Sequence, residues 1–106
     1  MSTVLGIDVG GSGIKGAPVD LEAGDFAEPR LRIVTPHPSS PKNVAAVISE
    51  IVVNYADTIG DGPVGISLPA PIRHGVVAFM ANLDQKWTGL NAEEYLSDKL
   101  GRPVTV

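Results

Sequence analysis

Short unbroken apolar runs and one long helical stripe divide the chain into elements. Thr3 to Asp8 is an apolar run too short for a helix and closed by Gly10-Gly11, which reads as a buried strand. Ile14 to Val19 resumes an extended pattern, and Asp20 to Asp25 reads as a hairpin connection. Arg30 to Ile33 alternates charged and apolar residues, as a half-exposed third strand does. Pro18 has no N–H to give a ladder, so the second strand is expected to end its pairing there or turn irregular. A proline-marked linker follows over Thr35 to Ser40.

Val44, Val47, Ile48, Ile51, Val52, Tyr55 and Ile59 then recur at spacings of three and four, the stripe of an amphipathic helix. Ser40 is its expected cap, Pro41 its first residue and Gly60 its stop. Val64 to Leu68 predicts another buried strand between Pro63 and Pro69, and Ile72 to Phe79 a small hairpin turning at His74-Gly75. A second helix is predicted from Ala92 to Leu100. Asn91 and Glu94 stand at capping-box spacing, Leu90 and Tyr95 at staple spacing, and Gly101 ends it. Pro103 to Val106 begins a last strand. Three strands, helix, strand, hairpin, helix, strand is an α/β order: a mixed sheet with helices packed on it.

Composition narrows the class. At 106 residues, 43% hydrophobic and 19% charged, the chain is one globular domain with its own core. A net charge of −4 speaks against non-specific nucleic-acid or anionic-membrane partners. With no cysteine, disulfides and thiolate metal sites are excluded. Met1 to Gly6 carries no basic and apolar leader, and no window is long enough to span a bilayer, so the expected location is cytoplasmic.

The chemistry concentrates in Asp8-Val9-Gly10-Gly11-Ser12-Gly13-Ile14-Lys15. Gly10, Gly11 and Gly13 remove the Cβ atoms that would keep a phosphate from main-chain N–H groups. Ser12 adds a hydroxyl and Lys15 a positive charge, while Asp8 is placed to hold Mg²⁺ through water. The spacing is neither G-x-G-x-x-G nor G-x-x-x-x-G-K-[ST], and Gly16-Ala17-Pro18 is a poor helix start, so the loop joins strand to strand. The competing reading is a tight hairpin whose glycines merely permit positive φ, with Asp8 and Lys15 as a surface pair.

Leu5-Gly6-Ile7-Asp8-Val9-Gly10-Gly11-Ser12-Gly13-Ile14-Lys15-Gly16 resembles the first phosphate motif of the actin-like sugar kinases, and more closely that of the ROK family of glucokinases, fructokinases and related repressors. The resemblance continues through Gly65 to Pro71, Gly75-Val76-Val77, Asn82 to Trp87 and Leu96 to Val106; the Gly-Gly-Ser-Gly-Ile-Lys-Gly form is most like actinobacterial polyphosphate glucokinases. It implies a ribonuclease H-like (actin-like ATPase/sugar kinase) mixed sheet with flanking helices, residues 1–106 forming the first lobe only. It also implies a glucokinase that moves a phosphoryl group from polyphosphate or ATP, with Mg²⁺, to a hexose such as glucose, and a homodimeric full-length protein. Asp8, Gly10, Gly11, Ser12, Gly13 and Lys15 would face the donor, Asp8 also the metal; Ala70, in the Pro69-Ala70-Pro71 turn, and Asn82 would line the sugar side. Ala70 departs from the family's usual glycine. The family's general-base Asp is expected beyond Val106, so this chain alone is expected to be inactive.

Other candidates are read as structural. His37 and His74 are taken for solvated loop residues and Trp87 for a packing anchor rather than a sugar platform. Arg30, Arg32, Lys42, Arg73 and Lys86 are scattered and read as surface charge rather than a polyphosphate track. Two other function classes stand beside the kinase: a sugar-sensing regulator, disfavoured because the phosphate strand starts near Met1, and a non-catalytic dimerisation module.

Overall fold

The computed structural model describes residues 3–106; Met1 and Ser2, part of the terminus read above as leaderless, lie outside the described residues. Strand β1 (Thr3–Val9) runs antiparallel to β2 (Gly13–Asp20) and parallel to β5 (Val64–Ser67), which is parallel to β8 (Val104–Thr105). With β3 (Asp25–Phe26) at one edge, the sheet order is β3-β2-β1-β5-β8, with β4 (Leu31–Val34) also on β2. This is the mixed sheet that the order of elements implied. Its β1–β5 and β5–β8 crossovers pass through helices α1 (Pro41–Asn54) and α3 (Ala92–Leu100).

Side-chain alternation decides which face is covered. Leu5, Ile7 and Val9 of β1 and Ile14 of β2 join Val44, Ile48 and Ile51 of α1, Leu96 of α3 and Trp87 in one buried cluster. Gly6, Asp8, Lys15, Gly65, Ser67 and Thr105 belong to the other face, which borders an open concavity of about 600 Å³. Gly16 shows how closely α1 sits: a Cβ placed there would lie 2.6 Å from Ile51 Cγ2 and 3.3 Å from Ile7 Cγ1. Both neighbours are buried and cannot retreat into solvent. Gly16→Ala is therefore expected to lower stability by about 1–3 kcal/mol through overpacking. Urea midpoints measure this, and a shift worth under about 0.5 kcal/mol would show that the contact is slack.

Three expectations change. The second strand does not stop at Pro18: β2 runs eight residues to Asp20. Leu5, opposite Pro18, gives its N–H to Pro63 on the far side, and the Pro18 carbonyl accepts from Ala27 (2.8 Å). The Pro18 nitrogen thus points away from β1, into the gap between β3 and β4 where no acceptor needs it. Next, the connection after Asp20 contains a further strand, β3 (Asp25–Phe26). Asp20 Oδ1 accepts from Glu22 (2.9 Å) and Ala23 (3.2 Å), Gly24 takes φ +68°, and the chain falls straight back onto β2 before β4.

The third change is a break in the long helix. α1 ends at Asn54, Tyr55 takes φ −109° and ψ 14°, and a separate turn, α2 (Ala56–Ile59), precedes Gly60. The Tyr55 hydroxyl donates to the Pro29 carbonyl at 2.5 Å and the Thr58 hydroxyl to the Glu28 carboxylate, so the β3–β4 connection holds the chain at this point. Burial, with Glu28 adding to it, pushes the Tyr55 phenol upward in pKa. Three cap signals hold. Ser40 Oγ accepts from Asn43 N–H, Asn91 Oδ1 from Glu94 N–H at 3.0 Å, and Gly101 sits at φ +66°. The β6 (Ile72–Arg73) and β7 (Val76–Val77) hairpin turns at His74-Gly75. No helix among the described residues is long and apolar enough to cross a membrane.

Candidate functional site

The glycine loop lies between the end of β1 and the start of β2, at the carboxyl end of β1 and beside the carboxyl end of β5. Asp8 pairs in register with Ser67 of β5 on one side and Lys15 of β2 on the other, and Lys15 with Arg32 of β4. Four strands thus present Ser67, Asp8, Lys15 and Arg32 as one polar row on the uncovered face. Asp8 is exposed and Lys15 half-buried against the concavity.

The loop glycines are not explained by positive φ, for none of Gly10, Gly11 and Gly13 is among the positive-φ residues. Close approach bears on two of them, Gly10 and Gly13. A Cβ on Gly10 would stand 3.1 Å from the Gly13 carbonyl oxygen, and one on Gly13 only 2.6 Å from the Arg32 guanidinium. That removes the conformational half of the competing hairpin reading.

The hydrogen bonding of the turn is lopsided. Gly10 N–H donates to the Gly13 carbonyl at 2.9 Å, so its own amide is taken. The reverse bond, Gly13 N–H to the Gly10 carbonyl, is not made; that carbonyl accepts the Thr35 hydroxyl at 2.6 Å. The Ser12 carbonyl accepts Thr35 N–H at 3.3 Å and Arg32 Nη2–H at 3.2 Å. No turn or side-chain acceptor among the described residues takes the N–H groups of Gly11, Ser12 and Gly13. Three successive donors with no turn acceptor, beside a lysine, are an arrangement able to hold an anion.

The two sugar-side candidates part company. The Asn82 main chain comes against the loop, its carbonyl oxygen 3.5 Å from where a Gly11 Cβ would stand, so the segment after β7 meets the glycine turn. Ala70 follows β5 in a turn closed by its N–H to the Leu68 carbonyl at 2.9 Å, and its methyl packs on the core. Trp87 is fully buried and bonded to Ser39, as a packing anchor should be. His74 lies in the exposed hairpin turn at φ 53°. Among the described residues no three His, Cys, Asp or Glu side chains cluster as metal ligands.

Reasoning from sequence missed two residues here. Arg32 reads from sequence as scattered surface charge, yet its guanidinium lies on Gly13 and holds the Ser12 carbonyl. Thr35 reads as part of a linker, yet it is buried and grips the turn. Pairing the Arg30–Ile33 strand with β2 would have put Arg32 opposite Lys15 and Thr35 beside the loop; that pairing was the missing signal.

No protein-family model matches the chain. A curated polyphosphate glucokinase of Mycobacterium tuberculosis is 44% identical over 103 residues, which are 96% of this chain and 38% of that protein. The crystal structure of an inorganic polyphosphate/ATP-glucomannokinase from an Arthrobacter strain superposes on all of this chain with a TM-score of 0.94 at 38% identity, over 44% of its own length. A ROK family glucokinase from Streptomyces griseus, solved with glucose and AMPPNP, shares the fold with a TM-score of 0.83 over 99% of this chain and 32% of that one, at 24% identity. The chain spans less than half the length of each of these proteins. Over nearly all of its own length the chain is similar to polyphosphate glucokinases, and it has the fold of a ROK family glucokinase.

Proposed function

We propose that residues 1–106 form the donor-side lobe of a hexose kinase that takes its phosphoryl group from polyphosphate or ATP and delivers it to glucose. One observation carries the reading: Gly11, Ser12 and Gly13 offer consecutive unpartnered N–H groups between Asp8 and Lys15. Phosphoryl transfer asks little covalent chemistry of the protein and much positioning and charge stabilisation. The turn supplies the first through fixed amide dipoles, and Lys15 with Arg32 supplies countercharge from the neighbouring strands. The names of the similar proteins support polyphosphate or ATP as donor and glucose as acceptor.

A magnesium ion fits the donor set. Asp8 is a single exposed hard oxygen ligand, and Mg²⁺ characteristically uses one or two carboxylates with phosphate oxygens and water. Asp8 would hold it, and the ion would neutralise charge on the phosphates. The sugar wall is read at Asn82, whose main chain adjoins Gly11, and at the turn bearing Ala70. Neither wall brings a general base to the acceptor hydroxyl. The 106-residue chain is therefore expected to bind donor without turning it over.

Titrating the ¹⁵N-labelled chain with tripolyphosphate and with Mg-ATP tests the reading. The amide resonances of Gly11, Ser12 and Gly13 should move first and furthest, while glucose alone should leave them in place. Resonances of these three that stay put at millimolar tripolyphosphate and Mg-ATP would defeat the donor assignment.

A further inference from the structure

A two-residue hairpin turn normally closes with a pair of hydrogen bonds between its flanking residues. Here one of the two is missing: the Thr35 hydroxyl draws the Gly10 carbonyl toward itself at 2.6 Å, and Gly13 N–H is left without a turn acceptor. Thr35 is 1% exposed, so its hydroxyl cannot trade this bond for water. Gly13 is buried as well, and an unbonded main-chain donor below the surface is rare in folded proteins. Water or a ligand at the exposed turn is the remaining way to satisfy it.

The planarity of the peptide extends the argument. In a trans peptide the C=O of one residue and the N–H of the next point in opposite directions. Pulling the Gly10 carbonyl toward Thr35 therefore turns Gly11 N–H away from β4. Holding the Ser12 carbonyl with Thr35 N–H and Arg32 Nη2–H turns Gly13 N–H the same way. A single residue thus grips two carbonyls and sets the direction of two donors.

The geometry assigns Thr35 the role of positioning residue for the anion cradle: its hydroxyl keeps the Gly10–Gly13 turn from closing on itself, so that Gly13 N–H stays free for a phosphate oxygen of the donor. This rests on the donor-side reading of the loop. Without the hydroxyl, the nearest acceptor for Gly13 N–H is the Gly10 carbonyl, and the cradle would fill its own donor. Serine at this position keeps the bond; the near-isosteric valine removes it.

The test uses the whole 106-residue chain as wild type, Thr35→Ser and Thr35→Val. Amide exchange of Gly13 reports whether the turn has closed, and tripolyphosphate titration reports the cradle. Thr35→Ser should match the wild type in both. Thr35→Val should slow Gly13 exchange about tenfold or more as the turn closes, and weaken tripolyphosphate binding about tenfold. Should the valine variant fail to fold, Thr35→Ala carries the same two readouts. A Gly13 amide exchanging equally in wild type and in the hydroxyl-free variant overturns the role, as does unaltered tripolyphosphate affinity in a variant whose turn has closed. If the wild type binds no tripolyphosphate, the donor reading falls, while the exchange comparison alone still upholds or overturns the grip of Thr35.

Discussion

Replacing Trp87 with alanine is expected to cost about 3–5 kcal/mol of folding free energy, the largest effect of any single substitution considered for this chain. The indole is fully buried in the core cluster although it sits on one three-residue turn of 3₁₀ helix, Gln85–Trp87. So short an element has almost no stability of its own. What holds it is the ring, with Nε1–H donating to the Ser39 carbonyl at 2.9 Å, and a second bond from Asp84 N–H to Ser39 Oγ at 3.0 Å. Alanine would leave a large cavity and orphan the Ser39 carbonyl at once. In a domain of this size each kcal/mol moves the melting temperature by about 4–8 °C, so a drop of roughly 12–40 °C is expected. Trp87→Phe, which keeps most of the volume and loses the N–H, should cost about 1–3 kcal/mol.

The consequence reaches the site. The segment that Trp87 bolts down carries Asn82 to Gly11, and the linker it is bolted to carries Thr35 to Gly10. Trp87→Ala should therefore broaden the Gly10 to Gly13 resonances below the melting transition, which Gly16→Ala should not. A melting temperature within about 5 °C of wild type would show that the ring is not the anchor of this segment.

How far the sequence could be read depended on how local each cause was. The α1 stripe, the Ser40 and Asn91 caps and the Gly101 stop are decided within a few residues, and each stands where pattern placed it. The break at Tyr55 escaped because Tyr55 and Ile59 stay on the stripe whether or not the helix is continuous; its cause, the Pro29 carbonyl, is 26 residues away. β3 is two residues long and carries no period to detect. Pro18 is tolerated because of the direction in which Leu5 points its N–H, a fact of pairing rather than of composition. The site divides the same way. Asp8 to Lys15 is contiguous and announced itself by its glycines, whereas Arg32 and Thr35 reach it through the β2–β4 register, and Asn82 through a tertiary contact. The Ala70 methyl, turned to the core, could not be foreseen from a turn sequence alone.

Lys15→Met should show the second large effect, on binding rather than on folding. Lys15 lies in register between Asp8 and Arg32, so its charge meets one attraction and one repulsion across the sheet. Exposed and half-exposed pairs of this kind are worth little, and the two oppose each other. The folded protein should therefore lose no more than about 0.5 kcal/mol when the ammonium is replaced by a thioether of similar length. On the proposed reading a phosphate anion changes the balance, since it would sit against both cations and turn their mutual repulsion into shared attraction. Charge-assisted hydrogen bonds are worth about 1.5–3 kcal/mol each, so affinity for tripolyphosphate should fall roughly 10- to 150-fold. The salt dependence of the residual binding should flatten as well, because one fewer cation takes part. Near-neutral stability together with a large loss of anion affinity is the signature of a charge kept for its ligand. The opposite pair of results, a destabilised fold with tripolyphosphate affinity changed less than about threefold, would make Lys15 a structural partner of Asp8 and leave the three free amides as the whole of the cradle.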